Sequence, residues 1–187
     1  VVELEKEILP GMDKRTAGEL RKQLSQRGVN FKLGTSITNI DKDKRMVKFS
    51  DDSMEGFDSV LISIGRSPLT ENIGLDEVGV QRKNGFVKVD LNSFQTSVPN
   101  IYAAGDIVEG TPQLAHVGFA EGIAAITHIA TGEKADINYD AIPYVVYTSP
   151  ELAEVGVNTE NAKEKDIKIS NAQHSFVGLG RAIIQDQ

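Results

Sequence analysis

The 187-residue chain has no cysteine and no tryptophan, and aromatic residues make up only 6% of it. Without a thiol it has no disulfide framework, no cysteine-ligated zinc site and no thiolate nucleophile of its own. Any redox chemistry has to be borrowed from a partner group. Positive charge is also in deficit: 20 Lys and Arg stand against 27 Asp and Glu, a net charge of −7. A surface that tracks nucleic-acid phosphates or binds an anionic membrane needs clustered positive charge, so neither partner is expected. Long apolar runs are missing too. The longest, Val60–Ile64 and Gly122–Ala130, fall far short of the roughly 18 residues of a spanning helix, and residues 1–10 lack the charged-then-apolar pattern of a secretory signal. The expected setting is a soluble interior compartment.

What is there is of ordinary globular proportion, with 40% hydrophobic and 25% charged residues, and the length suits one domain or parts of two. Val1-Val2-Glu3-Leu4 reads like the last rungs of a buried strand. The β-branched run from Gly180 to Gln187 has neither a turn nor a returning strand, so the segment is expected to be the interior of a longer protein. Asp13 caps a predicted helix whose apolar positions Ala17, Leu20 and Leu24 share a face, with Gly28 at its left-handed end. Val29, Phe31 and Leu33 alternate as a strand, and Ile37–Ile40 and Met46–Phe49 flank a charged turn as a hairpin. Residues 58–64 are nearly continuous apolar, the pattern of a strand covered on both faces of a parallel sheet, ending at Gly65-Arg66-Ser67-Pro68. Asn84-Gly85 predicts a tight hairpin. Ile101–Ala104 is a short strand running into Gly105-Asp106, followed by a helix from Leu114 to Ala130 rich in small residues. Beyond Ile142 a third, α+β unit is expected, with a capped helix over about 158–165 and strands at Ile167–Ile169 and Ala182–Ile184.

Two carboxylates stand out. Glu3, after a strand end and before a helix, is placed to accept hydrogen bonds from ribose hydroxyls and to repel a 2′-phosphate, which favours NAD over NADP; the other reading is an ordinary surface glutamate. Asp106 follows a buried strand in the position where open α/β sheets bind ligands, and it can hold a polyol hydroxyl; the other reading is a turn or capping aspartate. The histidines, His116, His128 and His174, lack the spacing of a helical metal site, so no metal is expected. Gly178-Leu179-Gly180 lacks the features of a phosphate loop and reads as strand-end punctuation. Tyr144 and Tyr147 read as core or interface residues.

Taken in order, Val1-Val2-Glu3, Ile64-Gly65-Arg66-Ser67-Pro68, the run from Thr96-Ser97-Val98-Pro99-Asn100 to Gly105-Asp106, Leu114-Ala115-His116 and the run from Ile142-Pro143-Tyr144 to Ser149-Pro150-Glu151 resemble the flavin-dependent pyridine nucleotide-disulfide oxidoreductases. The resemblance covers essentially the whole chain. It implies an α/β fold, parts of Rossmann-like FAD- and NAD(P)-binding domains followed by the start of an α+β dimerisation domain. By it, residues 1–66 are the later half of the NAD-binding domain, 67–141 complete the FAD site, and 142–187 begin the dimer interface.

The implied cofactors are FAD and NAD. Glu3 is implied to bind the adenosine ribose of NAD, with Ile37 and Gly65 lining the same cofactor. Asp106 is implied to bond the FAD ribitol chain, while Gln113, Leu114, Ala115 and His116 present backbone amides toward the pyrimidine end of the isoalloxazine. The following helix N-terminus favours the anionic charge of reduced flavin, and His116 acts through its backbone rather than as an acid or base. The implied activity is oxidation of dihydrolipoamide on a lipoyl carrier domain through an active disulfide and FAD, with hydride transfer to NAD⁺. The implied assembly is a homodimer, associated with a 2-oxo acid dehydrogenase complex. Both thiols and the His-Glu base of the family lie outside these residues, so none here is assigned a catalytic role and the segment alone is expected to be inactive. Alternatives are another flavin disulfide reductase, of the mercuric reductase kind, or a non-catalytic cofactor-binding module. Val117-Gly118-Phe119 departs from the commoner Lys-Ala pattern of the family.

Overall fold

A computed structural model describes residues 1–184. The elements in chain order are α1 (Lys14–Gln26), β1 (Ile37–Asp41), β2 (Met46–Phe49), β3 (Met54–Gly56), β4 (Arg82–Lys83), β5 (Phe86–Val87), β6 (Val89–Asp90), β7 (Gln95–Thr96), α2 (Ala115–Thr131), β8 (Pro143–Val146), β9 (Leu152–Val155), α3 (Thr159–Glu164) and α4 (Gly180–Ile184). They fall into two compact units, one made of Val1–Leu61 with the chain from Pro143 onward, the other of Ile62–Ile142.

The first unit begins with a parallel pairing. The Lys32 N–H donates to the Val1 carbonyl (2.8 Å) and the Glu3 N–H to the Lys32 carbonyl (3.0 Å), with α1 as the crossover between the paired segments. Parallel neighbours need such a crossover, since a tight turn cannot join them. Helix α1 carries its own start and stop. The Asp13 carboxylate accepts the N–H groups of Arg15 (3.1 Å) and Thr16 (3.0 Å), satisfying donors that the first turn leaves without partners. Burial raises the Asp13 pKa, but hydrogen bonds from the Thr16 N–H and hydroxyl and the Arg15 N–H outweigh it, holding the carboxyl below its usual range. At the other end Gly28 takes φ +91°, its N–H donates to Ser25 O and that of Val29 to Leu24 O, a closing motif that suits a residue without a Cβ. Ala17 and Leu20 face inward as expected.

The expected hairpin is present, with Ile40 opposite Val47 and Asp41 opposite Met46, and β3 adds a third antiparallel strand that the sequence pattern did not reveal. Val47 and Phe49 are its buried face. Farther along, β8 and β9 pair antiparallel from Pro143/Val155 to Val146/Leu152. Asn158 then caps α3 in a reciprocal box with Asn161. The Glu154 carboxylate accepts the Asp13 N–H (2.8 Å) and the Asn158 side-chain amide (2.7 Å), tying the caps of α1 and α3 together.

In the second unit Val80, Val87, Ala103 and Val108 form a core, with Leu75, Val89, Val98, Ile101 and Ile107 packed on it. The Asn84-Gly85 turn has φ +52° and +85°, the double left-handed geometry of a type I′ hairpin, joining β4 to β5. Helix α2 runs as expected and ends at Gly132 with φ +75°.

Several expected strands are absent. Residues 58–64 form no strand, and Leu61 and Ile64 are more than nine-tenths exposed. An apolar run becomes a strand only when neighbours accept its backbone hydrogen bonds, and none of the described strands does so. Ile101–Ala104 is reduced to a bridge between Tyr102 and Gln95, although Ala103 is buried and donates its N–H to Phe94 O. Ile167–Ile169 is irregular, and Ala182–Ile184 lies in helix α4, where local bonding replaces the missing ladder. His174 therefore lies in coil, and the glycines at 178 and 180 end a 3-10 turn and begin α4 rather than punctuating strands.

Candidate functional site

Asp106 sits on a turn whose backbone is held from both sides. Gly105, at φ +80°, donates its N–H to Glu121 Oε2 (2.6 Å), and its carbonyl accepts the Val108 N–H (2.9 Å). The Asp106 carbonyl accepts the side-chain amide of Gln113 (3.2 Å). The Asp106 carboxylate itself is 41% exposed and, among the described residues, pairs only with the side chain of Arg66, 3.5 Å away and 76% exposed. Such a surface pair contributes about 0–1 kcal/mol, so it leaves the carboxylate available to a ligand.

Gln113 leads directly into α2. Leu114 offers no side-chain cap, and among the described residues no acceptor meets the amides of Ala115 and His116, which carry the positive end of the helix dipole. His116 is exposed, while Val117 is fully buried. A Cβ on Gly118 would lie 3.1 Å from the Gly105 Cα, so the two glycines let the helix approach the Asp106 turn more closely than side chains allow. One edge of the second unit thus offers a carboxylate that accepts from hydroxyl groups and, at the start of α2, amides that donate to acceptor oxygens.

The other sequence-derived positions divide between the two units. Glu3, half-buried, ends the parallel pairing, and its Oε1 accepts the Glu5 N–H (2.9 Å). Ile37 opens β1 opposite Phe49 and is 40% exposed. Both belong to the first unit. Gly65 lies in the second, at φ +122° with open space where a Cβ would stand, and its neighbour Arg66 is the residue that reaches Asp106. Among the described residues no group of three or more His, Cys, Asp or Glu is placed to hold a metal, and no described helix is long and apolar enough to cross a membrane.

Sequence reasoning passed over Glu121. Its side chain is fully buried inside α2, between the Gly105 N–H and the Tyr139 hydroxyl, which donates to Oε1 at 2.9 Å. The available signal was an acidic residue alone among the small and apolar residues of Ala115–Thr131. Burial, and then the bond and charge of Glu121, push the Tyr139 phenol above its ordinary range.

The pyridine nucleotide-disulphide oxidoreductase family matches residues 1–122, and the dimerisation domain of the same family matches residues 142–187. The chain belongs to this family, whose members are oxidoreductases that use FAD and NAD(P). Among curated relatives, a dihydrolipoyl dehydrogenase of Bacillus subtilis is 40% identical over 186 residues, 95% of this chain and 38% of the relative. A dihydrolipoyl dehydrogenase of Chlamydia muridarum is 37% identical over 185 residues, 98% of this chain and 39% of the relative. The crystal structure of LpdA from Mycobacterium tuberculosis matches with a TM-score of 0.87 at 27% identity, covering all of this chain and 41% of that one. The chain therefore spans about two-fifths of the length of these relatives.

Proposed function

We propose that the protein carrying this chain oxidises dihydrolipoamide, presented on a lipoyl carrier domain, with FAD as the bound cofactor and NAD⁺ as the final acceptor. The observation that carries the reading is the pairing of a backbone-pinned, ligand-accessible Asp106 with the uncapped start of α2 in one unit. The names of the relatives support the substrate, since relatives similar along nearly the whole chain include dihydrolipoyl dehydrogenases. When bound, FAD supplies the two-electron relay between a dithiol and the nicotinamide.

The residues of this chain bind and orient. Asp106 accepts hydrogen bonds from ribitol hydroxyls, while the amides of Gln113, Ala115 and His116 face the pyrimidine edge of the ring, where the helix dipole favours negative charge; the Leu114 N–H is already given to the Pro112 carbonyl (2.9 Å). Ile37 and Glu3 line the nicotinamide nucleotide, and the Glu3 carboxylate selects NAD by accepting from the adenosine ribose and repelling a 2′-phosphate. Residues 1–66, 67–141 and 142–187 serve respectively as later NAD domain, FAD-completing segment and start of the interface of a homodimer. Such a dimer works beside a 2-oxo acid dehydrogenase complex, in the cytoplasm or the mitochondrial matrix. The redox thiols are not among these residues, since the chain has no cysteine, and the 187 residues alone are expected to give no NADH with dihydrolipoamide and FAD.

The test is Asp106→Ala in the intact flavoprotein. Losing a hydrogen bond to a charged group, worth about 1.5–3 kcal/mol, weakens FAD binding roughly ten- to hundredfold. Unchanged FAD affinity reduces Asp106 to a turn residue. Steady-state kinetics with both coenzymes test Glu3, and a preference for NADP(H) overturns its assignment.

A further inference from the structure

Glu121 is, among the described residues, the one charged side chain that is fully buried. Taking a carboxylate out of water is costly, and a well-packed apolar residue of similar volume is often no less stable in such a place. Stability alone therefore does not account for an acid here. What the carboxylate does is specific: one oxygen accepts the N–H of Gly105 and the other the hydroxyl of Tyr139. The Gly105 peptide immediately precedes Asp106, and the Gly105 carbonyl is already fixed by Val108. On the far side Gln113 fixes the Asp106 carbonyl. The backbone on both sides of Asp106 is thus bound to α2 or to the residues leading into it, while the carboxylate remains half-exposed. The Gly105–Gly118 approach sets the same spacing at the level of the backbone.

We propose that Glu121 is a positioning residue for the flavin. By holding the Gly105 peptide it fixes the distance between the Asp106 carboxylate and the open amides of Ala115 and His116, so that ribitol and ring are engaged together. Tyr139 occupies the second oxygen and keeps the carboxylate in the rotamer that reaches Gly105. The proposal rests on the reading of Asp106 as a flavin ligand.

The experiment is FAD titration of the intact flavoprotein after removal of its flavin, well below its melting temperature, with the visible circular dichroism of bound flavin as a second readout. Glu121→Asp keeps the charge but falls one methylene short of Gly105, and Glu121→Leu removes both acceptors. Each is expected to weaken FAD by at least about tenfold, the loss of one charge-assisted hydrogen bond, and to change the flavin dichroism. Glu121→Gln, which retains an acceptor oxygen at full length, is expected to restore affinity to within about threefold, less than 1 kcal/mol. Val80→Ala, in the core of the same unit, is the control for stability: it lowers the melting temperature and leaves FAD affinity and dichroism unchanged. If Glu121→Leu does not fold, the Asp and Gln variants carry the comparison. Wild-type affinity in Glu121→Asp, or an equal loss in Val80→Ala, overturns the proposal. When Asp106→Ala weakens FAD and Glu121→Asp does not, positioning fails and the flavin site stands. When Asp106→Ala has no effect, both fall.

Discussion

Helices α1 and α2 are built on opposite terms. Helix α1 supplies its own ends, with the Asp13 carboxylate over its first amides and Gly28 closing its last turn. Helix α2 closes at Gly132 but leaves its first amides uncapped at Leu114, buries Glu121 in its middle and exposes Phe119, Ile123 and Ile126. The first is a helix whose local interactions and tertiary role agree. The second sacrifices local satisfaction at the end that meets the Asp106 turn, and such local conflicts concentrate where a chain binds something.

The contrast can be broken most strongly at Gly118. A valine there forces side-chain atoms onto the Gly105 backbone, already 3.1 Å from a bare Cβ, and overpacking of this kind costs roughly 2–3 kcal/mol. Urea unfolding measures it, and a change under about 0.5 kcal/mol would show that α2 can move away from the turn freely. Next in size is Asp13→Ala, expected to cost about 1 kcal/mol near neutral pH. Because the folded Asp13 pKa is lowered, its contribution is present above the unfolded value of about 3.9 and lost as pH falls through the folded one. The difference between wild type and variant should therefore shrink in acid, and a gap independent of pH excludes the carboxylate as its source.

Leu114→Asp makes α2 resemble α1. Its carboxylate takes up the first-turn amides that otherwise bond the acceptor atoms of the ring, so FAD binding to the intact protein should weaken by roughly fivefold, about 1 kcal/mol or less. Tighter binding would mean that those amides do not face the flavin. The smallest effect belongs to Phe119→Ser on the exposed face, expected within about 0.5 kcal/mol in unfolding of the 187-residue chain.

The two helices also differ in how they could be read. In α1 the cap, the apolar face and the closing glycine are local signals, separated by single turns, and all were legible. The hairpins at Asn84-Gly85 and at residues 41–46 were legible for the same reason. In α2 the extent was clear, but not the role of Glu121, because its partners Gly105 and Tyr139 come from distant parts of the sequence. Residues 58–64 and 182–184 show the converse. Their apolar, β-branched composition promised strands, yet a strand exists only with a partner, and the described residues offer none.

By itself, then, the sequence determined the α/β class, the helix ends, the tight turns and the family, because these rest on short-range chemistry and on motifs kept in order along the chain. Tertiary structure alone decided that the Gly105-Asp106 turn is bound to α2 through a buried carboxylate and a contact between two glycines. The reason is physical: a hydrogen bond or a close backbone approach between remote segments has no local periodicity, and it comes into being only when folding removes the water between them.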